Sequence, residues 1–425
     1  MLKKIVQKTA ILSVKKIMQN SMDNHLKIKL IDEEVVRNFN KEKSYLLYIH
    51  VPFCHTFCPY CSFHKYKYDE ETATQYFKSL RIEMRKVKEE GFKFNSLYVG
   101  GGTTLINEKE LIKTLELAKE LFNIEDISCE SDPNHIEANS LKNFQGLIKR
   151  ISVGVQSFDD NILQKVSRST KFGSSKVVQE KILAMNGILP ITNIDLIFNF
   201  PTETDEILLN DLECAKNLGV NQITTYPLMS TDMTSNAITK AFNSKNNSKE
   251  YHFYNLIKES LKDYHNNNSW SFSKEETSLN DEYVTQHNEY IGIGSGAFSF
   301  INDSLYINAF DLAQYAELVD KRPHAIIATS TFELKERIQY QFLLWLFNGL
   351  VDIKKFDQTF NVSLRKILKQ ELYMLEKANA IQISNDNIYP TDFGKYLTLV
   401  MMKEFYSGMD KVRALFREKN VATVK

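Results

Sequence analysis

Three cysteines within eight residues are the most chemically loaded feature of the chain: Tyr48-Ile-His-Val-Pro-Phe-Cys54-His-Thr-Phe-Cys58-Pro-Tyr-Cys61. At C-x3-C-x2-C spacing on one loop, each thiolate can reach a different iron of a cubane cluster. Four cysteines would close a [4Fe–4S] cluster for electron transfer, whereas three leave one iron with an open coordination position. An open position on a metal is where substrate or cosubstrate chemistry takes place. The alternatives are a zinc site with His55 or His64 as fourth ligand, or three unrelated thiols. Pro52-Phe53 before the ligands and Phe57 and Tyr60 among them suit a dry pocket around a large cluster. Cys129 and Cys214 read as ordinary buried strand and helix residues.

A second set of residues is distributed along the chain. Gly100, Gly101, Gly102 and Thr103 expose backbone N–H groups and let a ligand approach closely. Glu130 can grip an ammonium or a ribose hydroxyl. Gln156 follows the fourth strand and Asp195 lies late in the fifth. By themselves Arg168, on or just after a helical stretch, reads as surface and the late run Gly292, Gly294, Gly296, Ala297, Phe298 as a close-packed turn. The elements that must position them are legible. SYLLYIHV (44–51), NSLYVGG (95–101), EDISCES (125–131), KRISVGV (149–155), ITNIDLIFNF (191–200) and NQITTYPL (221–228) read as strands. Helical patterns separate them, over Glu70–Glu90, Asn107–Phe122, Ile136–Gln145, Asp159–Val166, Ser174–Asn186 and Glu203–Leu218. This alternation predicts parallel strands with right-handed helical crossovers, six units that curl into a partial barrel. Active sites of such barrels lie at the C-terminal ends of the strands, which is where the unusual residues fall.

Composition narrows the field. The 425 residues carry 53 basic and 53 acidic side chains, a formal charge of zero, with only 15 glycines and 8 prolines. Charge balance argues against wrapping nucleic acid or coating an anionic membrane. An odd number of cysteines, five in so long a chain, does not suggest a disulfide scaffold. No stretch is long and apolar enough for a membrane span, which takes about 20 residues, and the reading is a cytoplasmic protein, by default a monomer. MLKKIVQKTAILSVKKIM fits a loosely amphipathic helix packed on the body, with membrane contact or targeting as the alternative. Residues 232–250 read as a polar excursion or lid. After Arg322-Pro323, helices over Thr331–Phe347, Ile353–Phe360 and Leu364–Ala378 precede a hairpin around Asn385–Asn387 and a final helix from Asp392. The expected organisation is an extension (1–40), an α/β partial (β/α)6 TIM-like barrel (41–322) and a helical, winged-helix-like unit (323–425). DNA binding by that unit lacks a dense basic stripe.

The cysteine loop after a first barrel strand resembles that of the radical S-adenosylmethionine (SAM) superfamily. The longer pattern Y-x-H-x-P-F-C-x3-C-x2-C resembles, more narrowly, the oxygen-independent coproporphyrinogen III oxidase family, which includes heme chaperones. GGGTT (100–104), CESDP (129–133), SVGVQSF (152–158), NIDLIFNFP (193–201) and YIGIGSGAFS (290–299) follow in that family's order. The resemblance implies a [4Fe–4S] cluster on Cys54, Cys58 and Cys61 whose open iron binds SAM. One electron from a low-potential donor such as flavodoxin or ferredoxin then releases a 5′-deoxyadenosyl radical that abstracts a substrate hydrogen. It further implies that Tyr48 lines cluster and cosubstrate, Tyr60 packs at the cluster, and Gly101, Gly102 and Thr103 meet the methionine carboxylate. Glu130 would hold the cosubstrate, Gln156, Arg168 and Asp195 would surround it, and Phe298 would lie near the adenosyl group. The implied substrate is a tetrapyrrole, a porphyrinogen or heme.

Three departures bear on the reaction. Coproporphyrinogen-decarboxylating members carry a further cysteine shortly after the third ligand, but Cys61 is followed here by Ser62-Phe63. Heme chaperones carry a His-Asn pair followed by Tyr-Trp; here Gln286-His287-Asn288 runs into Glu289-Tyr290-Ile291, with His287 as the candidate heme ligand. Thr104 replaces a customary proline. These departures point to a divergent branch that modifies a tetrapyrrole at a propionate or a meso carbon. The alternatives are a heme chaperone with little turnover and a related radical methyltransferase.

Overall fold

The computed structural model describes residues 2–244, 247–277, 279 and 287–421. The chain opens with helix Leu2–His25 and a two-residue strand, β1 (Lys29–Leu30). β2 (Ser44–Val51) leads into the cysteine loop, which is framed by two short paired strands, β3 (Phe53–Cys54) and β4 (Tyr66–Lys67). The barrel strands that follow are β5 (Lys93–Gly101), β6 (Asp126–Ser131), β7 (Arg150–Gln156), β8 (Ile191–Phe198) and β9 (Gln222–Pro227). Beyond them come β10 (His265–Asn266), β11 (Ser271–Ser273), β12 (Tyr290–Ile293), β13 (Phe298–Ile301), β14 (Ser304–Asn308) and β15 (Ile326–Thr331).

These strands form one 13-stranded sheet, ordered β1-β15-β14-β13-β12-β2-β5-β6-β7-β8-β9-β11-β10. Every pairing from β12 through β9 is parallel, and the flanking pairings are antiparallel. The six predicted βα units are therefore present, in an open barrel bounded by β1 and β10. Directly paired residues of parallel strands share a face. Leu47, Val99, Ile127, Ile151, Ile194 and Ile223 share a buried apolar face that joins the crossover helices in one core. The opposite face, looking into the barrel, is polar: Tyr48, Tyr98, Glu130, Ser152, Asp195 and Thr224. Cys129 belongs to the apolar face and is fully buried, as expected of a bystander.

Local signals explain the helices. Helix Glu70–Glu90 starts at Asp69, whose side chain accepts from the Thr72 N–H, and stops at Gly91 with φ 98°. Tyr76, Phe77, Leu80, Met84 and Val87 bury one stripe of it. Helix Glu108–Phe122 is capped by Asn107, whose side chain accepts from the Glu110 N–H. The stretch expected as a helix over 136–145 is only two short turns, Ala138–Leu141 and Lys142–Phe144.

β15 extends the large sheet beyond Arg322-Pro323, and the C-terminal helices begin at Leu334. Helices Leu334–Phe347 and Ile353–Phe360 pack with a three-stranded sheet made of β16 (Val351–Asp352), β17 (Ile381–Ser384) and β18 (Asn387–Pro390) around their own small core. The final helix, Asp392–Val421, runs back over the barrel and packs on helix Leu2–His25. Ala10, Ile11, Val14, Met18 and Met22 set the N-terminal helix against the main core. Between it and the C-terminal helices lies a largely apolar cavity of about 830 Å³. No helix among the described residues is long and apolar enough to cross a membrane.

Candidate active site

β2 ends at Val51, and the loop carrying the thiols folds directly over the end of β5. Gly102 N–H donates to the Val51 carbonyl (2.8 Å) and Thr103 N–H to that of Phe53 (2.7 Å). A Cβ on Gly102 would lie 2.5 Å from the Phe53 oxygen, so this glycine is required by the cysteine loop itself. Gly101, at φ 122°, has the same kind of neighbour in the His50 ring. Gly100 instead faces inward, where an added Cβ would meet Glu130 Oε1 at 3.0 Å and Tyr48 at 3.1 Å. Close approach was expected at these glycines; at two of them the approaching group is the protein's own backbone or imidazole.

Cys54 is buried, and Cys58 and Cys61 are half-buried with a turn between them, Cys61 N–H to Cys58 O at 3.2 Å. Burial, with help from Cys61, pushes the Cys54 thiol up to about 11. Two of the three thiols have a polar neighbour. Thr103 Oγ1 lies 3.9 Å from Cys54 Sγ, and Arg168 Nη1 lies 3.7 Å from Cys58 Sγ. Arg168 also donates to Tyr60 (3.0 Å) and to the Gly154 carbonyl. Burial works against its charge, but Tyr60 and Cys58 more than restore it. A residue that reads as surface in sequence is thus 5% exposed and built into the thiol pocket. A guanidinium directed at sulfur suits thiolates carrying a metal cluster. Among the described residues no three His, Cys, Asp or Glu side chains are gathered into a single-ion site. His64, one candidate fourth ligand of a zinc site, bonds Ser295 Oγ at 2.9 Å, and His55 stacks on His135.

The cosubstrate-binding candidates share the inward face. Glu130 accepts from Tyr98 (3.0 Å) and from the Gly101 N–H (3.0 Å), while Tyr48 stacks near Tyr98 and bonds His50 Nδ1 at 2.9 Å. Burial, then the Glu130 charge, raises the Tyr48 phenol well above its ordinary value. Asp195 pairs in register with Gly154 and accepts from Ser152 (3.0 Å) and Asn193 (2.8 Å). Gln156 ends β7 at a bulge with φ 78°. Phe298 opens β13, eight residues after β12 begins beside β2.

His287 does not join this group. Its Nε2 lies 3.1 Å from Ser96 Oγ, and burial, then Lys43, lowers its pKa to about 4. Ser96 is five residues before Gly101 on β5, roughly 16 Å along the strand at ~3.3 Å per residue, toward the opposite end of the barrel. Asn288 there accepts from Trp345 Nε1 at 3.0 Å, so a tryptophan absent from the local sequence arrives from helix Leu334–Phe347. Gln286 lies outside the described residues.

Several further participants are not among the candidates read from the sequence, although Asp132 and His50 fall within CESDP and Y-x-H-x-P-F. Asp132 accepts from Thr103 Oγ1 (3.0 Å) and His135 Nδ1 (2.7 Å) and sits 3.4 Å from Lys171. Burial alone would raise its carboxyl, but these partners hold it well below the ordinary range. His50 Nε2 reaches the His64 carbonyl (3.1 Å), and Tyr76 donates to the His50 carbonyl. Glu83 holds the late glycine loop by accepting from Gly294 N–H (2.8 Å), Tyr315 (2.7 Å) and Asn308 (2.8 Å). Asp211 pins the turn after Gln156 through Ser157 Oγ (2.6 Å) and Phe158 N–H (2.7 Å).

Comparison with known proteins bears directly on this geometry. The model of the radical SAM superfamily matches residues 48–215, from the tyrosine before the thiols to the helix after β8. That stretch carries a radical SAM domain. The heme chaperone HemW of Bacillus subtilis is 25% identical over 371 residues, covering 82% of this chain and 96% of that protein. The oxygen-independent coproporphyrinogen III oxidase of Salmonella typhimurium is 25% identical over 395 residues, 84% of each. Among solved structures, coproporphyrinogen III oxidase (HemN) from Escherichia coli, described as a radical SAM enzyme, superposes with a TM-score of 0.71 at 22% identity. That match covers 85% of this chain and 90% of the other, and it establishes the shared fold, a radical SAM barrel with a helical C-terminal domain. A radical SAM domain implies a [4Fe–4S] cluster and SAM.

Proposed function

We propose that this radical SAM protein holds a [4Fe–4S] cluster on Cys54, Cys58 and Cys61 and turns over SAM to modify a tetrapyrrole. The supporting observation is convergence: the thiol loop, the end of β5 and the inward carboxylate of Glu130 meet at one end of the barrel through the hydrogen bonds of Gly101, Gly102 and Thr103. When bound, cluster and cosubstrate supply one-electron cleavage and a 5′-deoxyadenosyl radical. The chain's own residues do the rest. Arg168 braces the Cys58 sulfur, Thr103 ties the cysteine loop to Asp132, Glu130 and Asp195 present acceptors to the ammonium and ribose hydroxyls, and Tyr48 walls the pocket against water. Gln156 and Phe298 close the remaining sides.

The test is anaerobic. Cluster-reconstituted, reduced protein given coproporphyrinogen or heme with SAM should release 5′-deoxyadenosine together with an altered tetrapyrrole. Cys58→Ala should lose cluster iron and absorbance, and Cys214→Ala should keep both. A Cys58→Ala protein that retained the cluster would overturn the ligand assignment.

A second reading is a heme chaperone with little turnover, supported by the curated relative of that name, which this chain spans almost completely. Tight heme binding without substrate-dependent deoxyadenosine release would select it. Ser62-Phe63 after the third thiol, where decarboxylating members carry a further cysteine, weighs against coproporphyrinogen decarboxylation.

A further inference from the structure

The last helix delivers two guanidinium groups to the cysteine loop. Arg417 donates to the carbonyls of Ser62 (3.0 Å) and Phe63, immediately after Cys61. Arg413 lies over the Phe63 ring at 5.2 Å and over the Phe298 ring at 5.6 Å, so it spans the cysteine loop and the late glycine loop. Phe416 seats the helix here by stacking on Phe310 at 5.2 Å. Arg413 is paired with Asp410, whereas no carboxylate lies within ion-pair distance of Arg417 among the described residues. The two guanidiniums also repel: Arg413 lowers the pKa of Arg417, secondary to burial.

Holding two like charges together in a half-buried place, with one acid between them, costs stability unless an anion completes the site. The same helix supplies apolar room beside them. Met409 and Arg413 are one turn apart on one helical face, and Met409, with Phe405, Phe300 and Tyr290, lines the cavity of about 830 Å³. Apolar walls that end at Met409, one helical turn from Arg413, match a large, flat, mainly apolar ring bearing carboxylates. Arginine forks bind carboxylate bidentately.

We infer that Arg413 and Arg417 form the carboxylate-binding end of the substrate site, with the ring of the substrate against the Met409 side of the cavity. The inference rests on the tetrapyrrole reading and adds to it the groups that recognise the substrate's acid side chains. It predicts discrimination by charge. Full-length, cluster-reconstituted protein is titrated with deuteroporphyrin IX and with its dimethyl ester, following porphyrin fluorescence without SAM or reductant. Wild type should bind the diacid at least tenfold more tightly than the ester. Arg413→Gln with Arg417→Gln should weaken the diacid about tenfold and leave the ester unchanged, and Arg413→Lys, which keeps charge and packing, should fall between. Thermal unfolding and cluster absorbance are read on the same samples.

Equal diacid and ester binding by wild type, or wild-type discrimination by the double variant, overturns the arginine site and leaves the tetrapyrrole reading standing. Failure of wild type to bind either form overturns the tetrapyrrole reading, and the arginine site with it. A changed cluster spectrum together with an unchanged diacid-to-ester ratio overturns the inference by assigning the arginines to the cluster loop.

Discussion

Replacing Glu83 by alanine takes one acceptor group away from three donors at once: the Gly294 N–H, the Tyr315 hydroxyl and the Asn308 amide. Glu83 is 1% exposed, so water does not reach the vacated donors freely. An orphaned buried donor costs ~1–3 kcal/mol, and three at the lower figure give about 3 kcal/mol. Expressed as local opening of the loop around Gly294, at ~1.4 kcal/mol per tenfold, that is roughly a hundredfold faster amide exchange. Glutamine is the informative second variant. Burial already raises the Glu83 carboxyl from its ordinary value, so a neutral amide is not foreign to the site. It keeps one oxygen for Gly294 and Tyr315 and places its amino group against Asn308, at a cost of about 1 kcal/mol, or roughly fivefold in exchange. The assay is hydrogen–deuterium exchange of peptides covering 290–298, with peptides from β7 as internal reference. Alanine and glutamine variants that exchange alike, or an alanine variant within twofold of wild type, would refute the claim that Glu83 fastens this loop.

Other outcomes follow from single contacts. A Cβ at Gly292 would sit 2.0 Å from the Phe298 carbonyl oxygen, so Gly292→Ala should break the β12–β13 pairing and yield little soluble protein. Gly146→Ala, where a Cβ meets nothing within 4 Å at φ 78°, should cost only ~1 kcal/mol of backbone strain in thermal unfolding. Burial raises Asp211 to about 7 and Glu203 to about 8. Because these folded carboxyls are raised, each binds more proton than its unfolded counterpart between about pH 4 and 8. Their stabilisation is therefore complete below about pH 4 and is lost as pH rises through 7 to 8. Melting temperature should fall across pH 5–8, and Asp211→Asn should flatten that slope; an unaltered slope would contradict the assignment.

The alternating core was legible because local pattern and tertiary role agree. SYLLYIHV became β2 residue for residue, since β-branched and aromatic side chains serve both of its faces. Disagreement arose where few side chains carry the packing. The polar excursion at 232–250 contains helix Ser235–Phe242, held by Ile238 and Phe242 against Phe200 and Leu228, too few apolar positions to reveal a period. Leu364–Ala378 reads as one helix but breaks at Leu368. The cysteines and glycines stand out by type and spacing alone. Arg168, Asp132 and Arg413 do not, because their significance lies in partners remote in the chain, such as Cys58 and Tyr60 for Arg168.

Those remote partners have a consequence for biogenesis. The cysteine loop is fixed by Ser295, 231 residues after His64, by Phe310, 244 after Tyr66, and by Arg417, 355 after Ser62. At ~5–20 residues per second, about 20–70 s of synthesis separate the emergence of the thiols from that of the helix that covers them. During that interval the thiols are exposed and their loop lacks its final supports. Closure is a late, high-contact-order event, complete only once the helix that carries Arg417 has formed and docked on the loop.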